Sequence, residues 1–169
     1  MTTPDNPKKI ELRKARDDDK PAVWRIIKAV IAGDDTYVFS SNTPEDEMMS
    51  YWFSPAKHNY VAVSNGNVVG TFWIQANQPG LGSHVANAAY MVLPSVNGKG
   101  IGRQMAEFSL AEARRLGFKA MQFNFVVKTN TVAVRLWQSV GFEIIGEIPD
   151  AFDHRREGLT NAYIMYRKL

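Results

Sequence analysis

The sequence contains no cysteine. This absence excludes disulfide bonds, thiolate metal sites and a cysteine nucleophile, and it fits a protein of a reducing compartment. Long apolar runs are also missing. None approaches the roughly 18 residues that a membrane-spanning helix needs, and the N-terminal stretch MTTPDNPKK has no signal-peptide core. We therefore expect a cytoplasmic protein with no membrane partner, and we predict no metal site.

A strong charge of one sign is missing as well. The chain has 20 Lys and Arg against 17 Asp and Glu, a formal net charge of +3. The basic residues form no stripe interleaved with aromatic residues, so no nucleic-acid partner is predicted. With 169 residues, 45% hydrophobic and 22% charged, the chain is typical of one globular domain. We place that domain at residues 10–169, after a loose N-terminal segment at residues 1–9.

What is present is a regular succession of strand and helix patterns. Ile10 and Leu12 alternate as in a short strand, and two helical patterns follow before the period changes. The clearest hairpin joins NYVAVS to NVVGTFWIQA through the dipeptide Asn65-Gly66. The full order is β α α β β β α β α β β. This order predicts a mixed α/β fold with helices packed against one central sheet.

Residues 94 to 102 read PSVNGKGIG, and they precede a helical pattern that runs from about Lys99 to Leu116. The first N–H groups of a helix have no internal partner and carry about half a positive charge. Glycines at such an end remove the Cβ atoms that would hold an anion away. The N–H groups can then wrap a phosphate, and Lys99 adds a mobile charge. The alternative is that the glycines only relieve strain in the turn.

Two nucleotide-binding motifs do not fit this stretch. The Walker motif needs a Lys followed by Ser or Thr after the last glycine, whereas Gly102 is followed by Arg103. The Rossmann motif needs G-x-G-x-x-G, whereas the spacing here is G-x-G-x-G with no early βαβ unit. Neither motif therefore explains the glycines.

Two segments in order carry a resemblance to a known family. The stretch MVLPSVNGKGIGRQMAEFSLAEARRLGF resembles motif A of the GCN5-related N-acetyltransferases (GNAT), and NTVAVRLWQSVGF resembles their motif B. The element order is also similar to that of the family, so the resemblance covers nearly the whole chain. It implies a GNAT-type mixed sheet with flanking helices and a splayed pair of strands that form an acetyl-CoA cleft.

The resemblance also implies which residues hold acetyl-CoA, the co-substrate. Backbone amides at the glycines would hold the pyrophosphate, and the strand before them would pair with the pantetheine arm like an added strand. Asn130 would hydrogen-bond the pantetheine, although Asn at this position also suits a helix N-cap. The cofactor-binding residues predicted in this way are Tyr90, Met91, Val92, Leu93, Asn97, Gly98, Lys99, Gly100, Ile101, Gly102, Arg103, Asn130 and Trp137.

The chain departs from the family pattern at positions that bear on catalysis. Asn97 stands where Gln or Arg is usual, a small loss because the backbone does most of the phosphate binding. Trp137 stands where many relatives carry a tyrosine that can protonate the departing thiolate. An indole N–H has no useful acidity, so Trp137 packs beside the sulfur or within the core. The strand HVANAAYMVLP has no carboxylate, where many relatives place a Glu.

The predicted catalytic groups are therefore neutral. A backbone N–H near Val92 would polarise the thioester carbonyl. Asn87 can orient a water, which suffices for an amine of low pKa. Asn124 lies in the apolar strand MQFNFVV, and we expect it to be buried. Either it faces the acceptor, as in a subgroup with fungal proline-analogue acetyltransferases that QFNFVVKTN resembles, or it bonds neighbouring backbone.

Three further candidates for a general base follow the sixth predicted strand. They are Asp150, Asp153 and His154, which we place in a loop between the last two strands. In the family this loop often borders the acceptor. The alternative for each is that it is simply solvated.

The sequence thus predicts an acetyl-CoA-dependent N-acetyltransferase that acts on a small-molecule amine. Without cysteine, direct attack in a ternary complex is the default mechanism. One alternative is a protein or peptide N-acetyltransferase of the same fold, which would need an open groove. The other is a non-catalytic acyl-CoA-binding module, favoured by the absent Glu and by Trp137. A homodimer is an expectation from the resemblance, and the apolar strand YIMYR is a candidate interface.

Overall fold

The fold is described by a computed structural model that covers residues 10–169, so the predicted loose segment at residues 1–9 lies outside the described residues. The strands are Ile10–Lys14 (β1), His58–Ser64 (β2), Asn67–Ala76 (β3), Val85–Val92 (β4), Ala120–Val127 (β5), Glu143–His154 (β6) and Gly158–Lys168 (β7). The helices are Lys20–Ile31 (α1), Glu45–Trp52 (α2), Ile101–Arg115 (α3) and Thr131–Ser139 (α4). This order confirms the predicted succession of elements and the mixed α/β class.

The strands form one seven-stranded sheet in the order β1-β2-β3-β4-β5-β7-β6. Each face of the sheet carries its own hydrophobic core. On one face α1 and α2 bury residues such as Ile27 and Trp52 against Val61 and Trp73. On the other face α3 and α4 pack against the sheet through residues that include Met105. The two helix pairs thus lie on opposite faces of the sheet.

The predicted hairpin between β2 and β3 is confirmed. Asn65 and Gly66 form its turn, and both have positive φ angles, of 50° and 77°. Asn and Gly are the residues that adopt this conformation most readily in two-residue hairpin turns. The local sequence was sufficient to predict this turn because its conformation depends on the two central residues.

The predicted splayed pair of strands is also confirmed. β4 and β5 run parallel, but only two residue pairs are in register, Val85 with Ala120 and Ala86 with Met121. Beyond Ala86 the strands diverge. β4 itself pairs without interruption with β3, whereas β5 shifts its register against β7 between Phe123 and Val126. The irregularity at the gap therefore lies on β5.

The last two strands correct one expectation. Asp150, Asp153 and His154 lie within β6, not in a loop, because β6 continues its pairing with β7 to His154 opposite Gly158. A register shift between Ile148 and Phe152 accommodates Asp150, whose φ angle is 49°. Polar residues at a sheet edge resemble a loop in composition, since one side of an edge strand faces water.

The apolar strand YIMYR belongs to β7, which lies between β5 and β6 rather than at an edge. Its apolar character is explained by burial, since Ala162 and Met165 of β7 have no exposed surface. The interior position of β7 removes the argument for this strand as an interface, and the homodimer stays a prediction. None of the helices among residues 10–169 is long and apolar enough to cross a membrane.

Candidate active site

The glycine turn (residues 97–103) connects β4 to α3 and has the conformation that an anion site requires. Gly98 and Gly100 have φ angles of 79° and 76°, and a Cβ atom built on either would meet nothing within 4 Å. The positive φ angles explain why glycine occupies both positions. The empty space beside them is open to a ligand that approaches the backbone closely.

The N–H groups of this turn are free. Among residues 10–169, the six N–H groups from Gly98 to Arg103 have no hydrogen-bond partner, and the first helical bond joins Gln104 N to Gly100 O. Free N–H groups at a helix start attract negative charge. The turn can therefore bind a phosphate through its backbone alone.

Side chains add little to the glycine turn. Asn97 and Lys99 are exposed, and the Arg103 guanidinium lies along the helices, 2.9 Å from Glu107 Oε1 and 3.3 Å from Ser139 Oγ. Gly102 has a separate packing role, because a Cβ atom there would lie 3.4 Å from Leu136 of α4. The expected contribution of Arg103 is therefore its backbone N–H rather than its charge.

The edge of β4 that faces the gap is accessible to a ligand. Leu93 N donates to Val69 O, and Asn77 N donates to Val85 O, so odd-numbered residues of β4 bond to β3. Because an antiparallel ladder alternates, the N–H and C=O groups of Tyr90 and Val92 point toward β5. We call these groups the free edge of β4. Met91 and Leu93, also predicted to bind the co-substrate, turn their backbone groups to β3.

One residue that we did not predict, Tyr37, contacts this free edge. Its hydroxyl accepts a hydrogen bond from Tyr90 N at 3.0 Å and donates a short one to Tyr90 O. Burial raises the pKa of Tyr37 above its usual range, so this hydroxyl stays protonated. Tyr37 lies between α1 and α2 and reaches the gap from the α1/α2 face.

A cavity of about 290 Å³ occupies the gap between β4 and β5. Its walls combine aromatic rings, small aliphatic side chains and amides, and none of its lining residues in the described chain is charged. We call the part of the wall on the α1/α2 face the acceptor end. It consists of Tyr37, Phe39, Tyr51, Trp73 and Asn124. The cavity therefore suits an uncharged, partly apolar molecule better than an ion.

Trp137 lies on the opposite wall and is mainly a packing residue. Its ring centroid lies 4.7 Å from that of Tyr90, 4.6 Å from that of Phe123 and 5.9 Å from that of Phe142. Only 8% of its surface is exposed. The Tyr90 hydroxyl lies 2.6 Å from Ser109 Oγ, so it is bound away from the gap. Neither ring offers an acidic group to the cavity.

Asn87 braces the point where the strands separate. Its side-chain Nδ2 donates to Gln122 O across the gap at 2.9 Å, just beyond the last backbone pair between β4 and β5. The residue also lines the cavity. Its amide nitrogen is thus used in the bond between β4 and β5. Its amide oxygen remains available to orient a water.

Asn124 lies at the rim of the cavity, and the expectation that it is buried is wrong. It is exposed, and it forms a relay in which Gln122 Nε2 donates to Asn124 Oδ1 at 3.0 Å and Asn124 Nδ2 donates to Asn77 Oδ1 at 2.6 Å. Asn124 and Phe125 occupy the register shift of β5, where two residues oppose one on β7. Such bulges re-aim side chains, here toward the cavity.

Asn130 caps α4, as its alternative role predicted. Its Oδ1 accepts a hydrogen bond from Ala133 N at 3.3 Å, and the residue also lines the cavity. The three carboxylate and imidazole candidates do not line the cavity. Asp150 N donates to Asn161 Oδ1 at 3.0 Å, and His154 Nδ1 accepts from Arg156 N and Glu157 N.

Several residues of the acceptor end were missed in the sequence. Tyr37 and Phe39 come from a loop and Trp73 from β3, and none of them belongs to a motif. Tyr51 lies in the bulky stretch MMSYWF, whose only signal was its aromatic content. Lys57 supports this wall from behind, with its Nζ 3.3 Å from the Tyr51 ring centroid and 4.3 Å from that of Trp73.

The geometry fits acetyl-CoA on two observations. Free N–H groups in the glycine turn suit its pyrophosphate, and the free edge of β4 suits an extended chain with amide groups. Residues 24–142 match the model of the acetyltransferase (GNAT) family. The chain belongs to the GNAT family. The resemblance in the two motifs is therefore confirmed.

Individual relatives agree with this assignment. The N-acetyltransferase aca1 of Schizosaccharomyces pombe is 42% identical over 99 residues, which is 58% of this chain and 47% of that protein. A GCN5-related N-acetyltransferase from Kribbella flavida is 38% identical, with a TM-score of 0.90 over 95% of this chain and 98% of that chain. This GNAT chain spans about half the length of aca1.

A more distant structure shares the fold. The structure of yncA from Salmonella typhimurium with its cofactor acetyl-CoA has a TM-score of 0.83 and 21% identity, over 95% of this chain and 94% of that chain. At this identity the likeness concerns the fold alone. The GNAT architecture therefore extends over the described domain.

Proposed function

We propose that this GNAT protein transfers an acetyl group from acetyl-CoA to the amine of a small molecule, by direct attack within a ternary complex. The observation that carries the proposal is the combination of a phosphate-binding turn with an uncharged cavity, joined by the free edge of β4. The structure of yncA with acetyl-CoA supports the choice of co-substrate.

The glycine turn and β4 are the residues that would hold acetyl-CoA. Gly98 to Arg103 would donate their N–H groups to the pyrophosphate, and the free edge of β4 would pair with the pantetheine arm. Asn130 can bond this arm through its Nδ2, because only its Oδ1 is used as the cap. Acetyl-CoA supplies an acetyl group activated as a thioester.

The chain's own residues would act on the acetyl group and on the amine in a few ways. The Val92 N–H faces the gap, where it can donate to a carbonyl oxygen of the co-substrate. Asn124 and the oxygen of Asn87 can orient a water that accepts the amine proton. Trp137 excludes water and has no proton to give, so the thiolate would leave without an acid from this side.

The acceptor is expected to bind as a neutral amine. An ammonium group in the cavity would have no carboxylate beside it, and burying an unpaired charge is costly. An amine of low pKa loses its proton to water before it binds. The cavity of about 290 Å³ lies in the gap that the end of the pantetheine arm would share, so the room left for the acceptor suits a small molecule.

The uncharged lining that the described residues give the cavity also favours the second candidate function, a non-catalytic acyl-CoA-binding module. A peptide acetyltransferase is less well supported, because the bulky acceptor end encloses a small volume. The two rivals differ from our proposal in what they do with an amine. A turnover assay therefore separates all three.

The test is release of free CoA thiol from acetyl-CoA across small amines, amino acids, imino acids and short peptides. We expect turnover with a subset of the small amines and none with the Gly100→Glu variant. Turnover with peptides alone would favour the protein-acetylating rival. No turnover with any acceptor, together with measurable CoA binding, would overturn the proposal in favour of the non-catalytic module.

A further inference from the structure

Tyr37 satisfies two backbone groups that have no partner in the sheet. Its hydroxyl accepts from Tyr90 N at 3.0 Å and donates to Tyr90 O. Both groups belong to the free edge of β4 and face the gap, away from β3. Buried backbone groups need partners, and a single hydroxyl can serve as acceptor and donor together. In the structure Tyr37 thus fills the place of a neighbouring strand.

The same two groups are needed by a ligand that pairs with β4. An extended chain with amide groups would accept from Tyr90 N and donate to Tyr90 O, as a strand does. Tyr90 N carries a single proton, so Tyr37 and such a ligand compete to accept it. This conflict does not depend on the details of the ligand, because it arises at atoms of this chain.

We propose that Tyr37 is a displaceable plug on the free edge of β4, which acetyl-CoA must expel before an acceptor can bind productively. The inference rests on the proposed function for the identity of the displacing ligand. It goes beyond that function because it assigns a role to Tyr37 and names a moving element, the loop that carries it.

This loop is built to move as one piece. We define the Tyr37 loop as residues 34–41. Its ends are tied together by the Asp34 carboxylate, which accepts from Ser41 N at 2.8 Å and from Ser41 Oγ at 3.0 Å. The hydrogen bonds of Ser41 lower the pKa of Asp34, so the tie persists at neutral pH. A displaced Tyr37 would carry its neighbours with it.

Movement of the Tyr37 loop would change the acceptor end directly. Phe39 belongs to the same loop and lies against Tyr51, with a ring-centroid distance of 4.7 Å. Both residues line the cavity. Expulsion of Tyr37 would therefore shift Phe39 and reshape the wall where the acceptor binds. The acceptor end reaches its working shape only after the co-substrate has bound.

If Tyr37 blocks the free edge of β4, removal of its hydroxyl should improve the binding of acetyl-CoA. Tyr37→Phe removes the hydroxyl and keeps the ring, so the empty protein loses both hydrogen bonds to Tyr90 while the complex loses nothing. We expect acetyl-CoA to bind about 5- to 30-fold more tightly to this variant, in isothermal titration without any acceptor. Tyr166→Phe, which removes a hydroxyl from β7 at a residue that does not line the cavity, is the control and should leave the affinity unchanged.

The outcomes of this titration are distinct. Equal or weaker affinity of Tyr37→Phe, with normal binding to the wild type, would overturn the plug and leave the proposed function intact. Binding to neither protein would overturn the proposed function and the plug together. Binding to Tyr37→Phe alone would support the plug strongly, since the hydroxyl would then be the barrier to co-substrate.

Hydrogen exchange gives a second readout that does not need turnover. In the wild type, acetyl-CoA should increase exchange in peptides that cover the Tyr37 loop, because its anchor at Tyr90 is lost. The Gly100→Glu variant, which we expect not to bind acetyl-CoA, should show no increase. Unchanged or slower exchange of the loop on binding would contradict the expulsion of Tyr37.

Discussion

The two ends of the cleft are built in different ways. The glycine turn consists of consecutive residues whose backbone N–H groups have no partner among residues 10–169. The acceptor end consists of side chains from β3, β5, α2 and the Tyr37 loop, which are far apart in the chain. One end is made by local conformation and the other by packing.

This difference corresponds to two kinds of recognition, that of a co-substrate shared by many proteins and that of one particular acceptor. Backbone N–H groups recognise a phosphate whatever the neighbouring side chains are, so one short motif suffices for a co-substrate that many proteins share. Recognition of an acceptor needs particular side chains at particular distances. Changes in the turn should therefore affect co-substrate binding, and changes at the acceptor end should affect turnover or the order of binding.

The largest effect is expected from Gly100→Glu in the glycine turn. Gly100 has a φ angle of 76°, and its missing Cβ leaves open space where a phosphate would bind. A carboxylate there would strain the turn and repel the phosphate. We expect the affinity for acetyl-CoA to fall by at least about 100-fold in isothermal titration, which is roughly 2.7 kcal/mol. Gly102→Glu should also abolish binding.

Gly66→Glu is the matched control for this change. Gly66 has a φ angle of 77° in the β2–β3 turn, and a Cβ there also meets nothing within 4 Å. The two variants thus share the charge and the strain but differ in location. Unchanged affinity in Gly100→Glu, or an equal loss in both variants, would refute the phosphate site at the turn.

An intermediate effect is expected from Asn124→Ala at the acceptor end. The change removes the relay from Gln122 to Asn77 at the rim of the cavity. We expect kcat to fall about tenfold, the order of one net hydrogen bond, while the affinity for acetyl-CoA stays nearly constant. Steady-state kinetics and titration on the same preparation measure the two effects.

Asn67→Ala serves as the control, because Asn67 lies in the distant β2–β3 hairpin and donates only to Asn65 O. It should leave both quantities unchanged. An equal loss of turnover and co-substrate affinity in Asn124→Ala would assign Asn124 a structural role. That result would also mean that a change at the acceptor end affects co-substrate binding as well as turnover.

The smallest effect on the site is expected from Glu112→Gln, near the C-terminal end of α3. Arg115 and the Tyr60 hydroxyl hydrogen-bond the Glu112 carboxylate and lower its pKa to about 2. A carboxylate with a lowered pKa stabilises the fold above its unfolded pKa, and this contribution disappears as the pH falls through the folded pKa. We expect Tm to drop by about 2–4 °C at pH 7, with unchanged acetyl-CoA affinity.

Thermal denaturation between pH 7 and pH 2 provides the check. The difference in Tm between the wild type and Glu112→Gln should begin to shrink below about pH 4.5 and vanish near pH 2. A constant difference across this range would mean that the lost interaction does not depend on the carboxylate charge. A loss of co-substrate affinity would mean that the packing of α3 is coupled to the glycine turn at its other end.

The features that could be predicted from the sequence were likewise those that depend on local conformation rather than on packing. The hairpin at Asn65-Gly66 and the glycine turn at Gly98 and Gly100 were predictable, because positive φ angles select glycine or asparagine locally. Asp150 and His154 were misplaced because polar residues in an edge strand are indistinguishable from a loop by composition. Asn124 was correctly placed on its strand, but its exposure was not predicted, because a bulge that depends on pairing with β7 turns it to the rim.

The sequence by itself determined the succession of elements, the family and the conformation of the glycine turn. These follow from periodicity and from residues that impose a backbone conformation on their immediate neighbours. Only the tertiary structure decided that Tyr37 meets the backbone of Tyr90, that Trp73 and Tyr51 share a wall, and that no charged side chain from residues 10–169 lines the cavity. These are contacts between residues distant in the chain, and they form only when the helices pack on the sheet.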